Sequence, residues 1–138
     1  MIRRADIRIM KNIVISMGQK IGVNVITTPD IIWETPSGLT NYRFFVSGSC
    51  IFSRFLSQKI LSSGDEIVII YPGSRAELLN YKTKHSLVLA QQFSKIHFVK
   101  FRHIRNMNEN PNLTLQTWVR LIDSDPAIWQ EFGQPVLF

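Results

Sequence analysis

The six residues EIVIIY, 66 to 71, constrain this chain more than any other stretch. Successive side chains of a strand point to opposite faces of a sheet, so an unbroken apolar run must be covered on both sides. Such a strand belongs in the middle of a sheet, with a packing layer above and another below. The rest of the chain has to supply those layers. Its 138 residues suffice for one domain with a substantial core and no covalent staples. Hydrophobic content of 45% with 19% charged residues lies in the globular range, away from disorder. The single cysteine, Cys50, excludes an internal disulfide and fits a reducing compartment. With no His or Asn motif beside it, Cys50 reads as a structural thiol.

The layers are legible in the periodicity. From Asp6, apolar residues at Ile7, Met10, Ile13, Val14, Met17 and Ile21 follow the three-and-four spacing of one helical face. Asp6 suits an N-cap and Gly22 stands where that helix stops. VNVIT (23–27) predicts a strand, followed by a Pro29–Asp30 turn. IIWE (31–34) and YRFFVS (42–47) predict two more, joined through the Pro/Gly turn TPSGLTN as a hairpin. A helix is expected over 49–62, the buried strand at 66–71, and a long helix over 75–93. KIHFVKF (95–101) predicts the last strand, with RHIRNMNENPN after it as an exposed basic loop. Thr114 caps a helix to Leu121 or Ile122, and DSDPAIWQEF predicts a short final helix with Pro126 in its first turn. The order is α-β-β-β-α-β-α-β-α-α: an α/β fold, a mixed sheet sandwiched by helices, in a single domain spanning 1–138.

Sixteen Lys and Arg against ten Asp and Glu leave a formal charge of +6 and a pI near 9.8. That excess favours a polyanionic partner, and nucleic acid is the commonest one. Lys95, Lys100, Arg102, His103 and Arg105 gather on the last strand and beyond it, with Phe98 and Phe101 expected in the core. Lys82, Lys84 and His85 form a second cluster. No apolar run is long enough to span a membrane. Charges at Arg3, Arg4, Asp6, Arg8 and Lys11 interrupt any signal-peptide core, so a cytoplasmic location is expected, or a nuclear one in a cell that has a nucleus.

The segments PDIIWE and YRFFVSGS carry a more specific suggestion. Their setting of helix, three-strand meander, helix and fourth strand over residues 6–71 resembles the core of the PD-(D/E)XK, restriction-endonuclease-like nucleases. In that family an acid before the second strand and an acid-x-Lys on the third converge on Mg²⁺ or Mn²⁺. The ion polarises the phosphate and the lysine orients the attacking water. The resemblance puts Asp30 at the first metal-ligating acid. With Gly48 aligned to the glycine that follows the family lysine, Phe45 stands at the second acid and Ser47 at the lysine. Phenylalanine ligates no metal and serine supplies no positive charge. The resemblance therefore implies a pseudonuclease: a nucleic-acid-binding domain that needs no cofactor, binds DNA in preference to RNA, and has lost catalysis.

Several rival readings share these residues. An active Mg²⁺- or Mn²⁺-dependent endonuclease would use Asp30, Glu34 and a migrated Lys59, with Glu34 on the same side of its strand as Asp30. The turn Ser47, Gly48, Ser49 opens a helix and would suit a phosphate, although a dinucleotide fold wants three glycines and this turn has one. Arg43 and Arg54 flank the candidate site as further phosphate contacts. A non-enzymatic subunit, adaptor or inhibitor is the third reading, with the apolar C-terminal tail EFGQPVLF docking a protein partner or a second copy. The histidines lack zinc-ligand spacing, and Trp33, Trp118 and Trp129 read as packing residues.

Overall fold

A computed structural model of the chain describes residues 4–28, 30–38, 40–48, 63–72 and 96–123. Within them, helix α1 (Arg4–Ile21) leads into strands β1 (Asn24–Ile26), β2 (Ile31–Glu34), β3 (Asn41–Val46), β4 (Glu66–Tyr71) and β5 (Ile96–Lys100). Helices α2 (Phe101–Asn108) and α3 (Leu115–Asp123) follow. The five strands form one mixed sheet in the order β1-β2-β3-β4-β5. The first three are an antiparallel meander, and β4 and β5 add on parallel to β3. The expected helices over 49–62 and 75–93 and the short C-terminal one lie outside the described residues, as do Cys50, Lys82, Lys84, His85 and Trp129.

Local sequence accounts for the punctuation. At the end of α1 the Gly22 N–H donates to the Gly18 carbonyl at 3.0 Å, with Gly22 at φ +92°, where a side chain would be strained. The β2–β3 hairpin closes on Thr35-Pro36-Ser37-Gly38. The Gly38 N–H donates to the Thr35 carbonyl at 2.9 Å, and the Thr35 hydroxyl donates to the Thr40 carbonyl at 2.7 Å. Proline second and glycine fourth is the residue order such a turn favours.

Two-residue alternation divides the sheet into two faces. Trp33, Tyr42, Phe44, Val46, Val68, Ile70 and Val99 pack beneath α1, α2 and α3, which bring Met10, Val14, Met17, Phe101, Ile104, Met107, Trp118 and Ile122 into the same core. The opposite face carries Phe45, Ile67, Ile69, Tyr71, Ile96 and Phe98, and these are buried as well. All five of Ile67 to Tyr71 are at most 1% exposed. That is the two-sided burial which EIVIIY demands. Trp33 and Trp118 are packing residues as expected, each fully buried, with ring centroids 4.8 Å apart.

The structure places Asp6 inside the first turn of α1, which already runs from Arg4, and not at its N-cap, and it corrects one segment. The basic stretch after the last strand is not a loop: the strand ends at Lys100, and Phe101–Asn108 is helix α2. Five of its eight residues are polar, which hid the pattern. Its three apolar residues, Phe101, Ile104 and Met107, fall every third position and are all buried. So short a helix has little stability of its own, and the packing of that stripe on the core supplies it. Pro111 follows shortly after the helix stops, where the Glu109 N–H donates to the Arg105 carbonyl.

Candidate functional site

The segment that opens β2 carries Asp30, and the neighbouring strand carries Arg43. Their side chains meet: Arg43 Nη1 donates to Asp30 Oδ2 at 2.9 Å. The other edge of the same guanidinium engages Asp65, just before β4, with Nε at 3.1 Å and Nη2 at 3.0 Å from Oδ2. The three side chains are 20%, 29% and 13% exposed for Arg43, Asp30 and Asp65, so solvent screens the contacts only in part. Arg43 thus bridges two carboxylates from elements on either side of its strand. Its charge is balanced in place, and it has little left to offer a phosphate.

The register shows what surrounds this group. Ile31 pairs with Phe44, so one step further Asp30 falls opposite Phe45, on the face that Arg43 shares. Ser47 comes next on that face, 1% exposed, its N–H given to the Ile70 carbonyl at 2.8 Å. Around Asp30 the neighbours on β3 are therefore an arginine, a phenylalanine and a buried serine. Glu34 lies on the same side of β2, but four residues along a strand separate it from Asp30 by about 13 Å. Its carboxylate accepts from Asn24 Nδ2 at 2.6 Å, across the β1–β2 pair and beside a shallow polar depression. Two carboxylates that far apart do not share one ion. Among the described residues no three His, Cys, Asp or Glu side chains are grouped to hold a metal. The described residues around Asp30 do not fit a divalent ion: the carboxylates of Asp30 and Asp65 are both engaged by the Arg43 guanidinium, and no acid stands at the β3 positions.

The remaining site residues are distributed differently. Lys59, Arg54, Lys95 and Ser49 lie outside the described residues. Gly48 is half-buried, and Ser47 has committed its N–H to the sheet, so that turn keeps fewer donors for an anion than its sequence suggested. Lys100 is half-buried at the end of β5. Arg102, His103 and Arg105 are exposed on α2, opposite its buried stripe. Two residues that the sequence did not mark for this role, Arg8 and Lys11, are exposed on α1, which packs against α2. Their place among the polar positions of the amphipathic α1 pattern was the available signal. At the ends of these two helices Lys20 Nζ donates to the carbonyl of Asn108 at 3.0 Å and to its side-chain oxygen at 3.1 Å. His97, which alternates with Phe98 on β5, meets Glu66 at 3.0 Å on the side of the sheet that faces α1 and α2.

No helix among the described residues is long and apolar enough to cross a membrane. Comparison with protein-family models, with curated proteins and with solved structures finds no match for this chain.

Proposed function

We propose that this chain is a nucleic-acid-binding domain with a restriction-endonuclease-like core whose catalytic site has been emptied. The observation that carries the reading is the bridge from Arg43 to Asp30 and Asp65, seen with its register. Asp30 faces Phe45 across the strand pair where the resemblance wants a second acid, and a guanidinium takes the contact a metal would need. Two further features support it. An antiparallel meander followed by a parallel fourth strand suits the family core, and the exposed arginines of α2 are placed to meet phosphates. An active site built on Asp30, Glu34 and Lys59 gains no support, because Asp30 and Glu34 do not converge.

The test has two arms. Binding of a labelled duplex, titrated over a series of salt concentrations, should weaken steeply as salt rises, because phosphate contacts release counterions. Incubation with Mg²⁺ or Mn²⁺ should leave duplex and single-stranded substrates uncut. Cutting that disappears in D30A would overturn the emptied-site reading. No binding even at low salt would overturn nucleic-acid binding itself and favour the adaptor alternative.

A further inference from the structure

We infer that the outer surface of the helical layer, α1 with α2 and α3, is the binding surface, and that its ligand is a duplex held by its phosphates. This rests on the nucleic-acid reading above and adds where and what. Among the described residues, the two sides of the sheet differ in charge. Asp30, Glu34 and Asp65 lie on the face away from α1, α2 and α3; of the two described cations there, Lys100 is half-buried and Arg43 is consumed by its ion pairs. Among the described residues, that side carries more carboxylates than cations outside an ion pair.

The helical layer is the reverse. Arg8 and Lys11 on α1, Arg102 and Arg105 on α2, and Arg120 on α3 are all exposed. None of them forms an ion pair among the described residues. Among the residues whose exposure is described, Asp6 and Glu109 are the exposed acids that oppose them on this layer. Residues three apart on a helix are neighbours on its surface, so α1 and α2 each present a pair of cations. The two helices are packed together and joined at their ends by Lys20 to Asn108, so both pairs belong to one layer.

The class of ligand follows from where the described aromatic rings of this layer lie. Proteins that hold single strands stack the unpaired bases on aromatic side chains. Among the described residues, the phenyl and indole rings of this layer are Phe101 and Trp118, 6% and 0% exposed, with both rings in the core, and the one exposed ring is the His103 imidazole. Exposed cations, with the large described rings turned inward, suit a duplex backbone, whose bases are already stacked.

The experiment compares the unaltered protein with R102Q/R105Q, R8Q/K11Q and, as a control on the opposite face, E34Q. Each is titrated by fluorescence anisotropy with one labelled duplex and with its separated strand. All the replaced side chains are at least partly exposed, and a circular-dichroism melt confirms each fold. Counterion release contributes about 0.9 log units per phosphate contact at roughly 0.1 M salt, so each double variant should bind the duplex about 60-fold more weakly. Its salt slope should be shallower by about two, with E34Q unchanged. Salt-dependent duplex binding that survives both double variants would overturn the surface and leave the nucleic-acid reading standing. Tighter binding of the single strand would overturn the duplex assignment. Absence of binding by the unaltered protein would remove both.

Discussion

Replacing Gly18 by alanine tests the packing of this fold in a case where two physical effects have opposite signs. Gly18 lies inside α1, and a glycine in a helix costs about 1 kcal/mol relative to alanine. On propensity alone, G18A should be stabilising. The structure reverses the sign. A methyl group built on Gly18 would come within 2.6 Å of Trp33 Nε1, 2.6 Å of Val25 Cγ2 and 3.0 Å of Trp33 Cδ1. Trp33 has no room to withdraw: it is 0% exposed, and its ring centroid lies 4.5 Å from Phe44 and 4.8 Å from Trp118. Overpacking a tight core costs about 1–3 kcal/mol, and two contacts this short against an immobile indole belong at the upper end. Subtracting the helical gain leaves G18A about 2 kcal/mol less stable. For a chain of this size that is a fall in Tm of roughly 8 °C. Urea unfolding monitored by circular dichroism and tryptophan fluorescence reads it directly. Adding V25A should recover part of the loss, because it removes one of the two closest contacts. A G18A protein as stable as the parent would refute the argument and show that α1 shifts away from β1 and β2 at little cost.

R43M removes the cation from between Asp30 and Asp65 and leaves two partly buried carboxylates facing each other. Exposed pairs are worth under about 1 kcal/mol, and breaking fully buried ones costs about 3–5, so an intermediate loss of about 2 kcal/mol is expected by urea unfolding. In a double-mutant cycle with D65N the two substitutions should be non-additive by about 1 kcal/mol, and simple additivity would mean the bridge contributes little. T114A should cost about 1 kcal/mol in thermal unfolding, since the Thr114 hydroxyl accepts the Thr117 N–H at 3.2 Å at the start of α3. Duplex affinity should be unaffected by T114A at temperatures where the protein is folded; a loss of binding there would show that the start of α3 takes part in the contact.

Much of the described fold is written in short-range pattern. The short apolar runs IIWE and YRFFV between turn residues, the unbroken run in EIVIIY and the three-and-four spacing of α1 each identify an element, because these signals are properties of a few consecutive residues. Gly22 and the Thr35–Gly38 turn are local for the same reason: a backbone conformation selects the residue that tolerates it. Helix α2 sits at the limit of this logic. Its stripe of Phe101, Ile104 and Met107 was present in the sequence, but so many polar residues surround it that only contact with the core makes it a helix.

The candidate site depended on folding throughout. Arg43 finds partners 13 and 22 positions away, and no local pattern states that its charge is spent on Asp30 and Asp65 rather than offered to a phosphate. Sequence placed Asp30 and Glu34 on one side of a strand, while strand length and the bond to Asn24 keep them apart. Residue type and local period determined which side chains face inward and which carry charge. Only tertiary structure decided which charges cancel, which stay exposed, and that Gly18 is the gap into which Trp33 fits. Those outcomes depend on distances between segments remote in the chain, and such distances exist only once the core has closed.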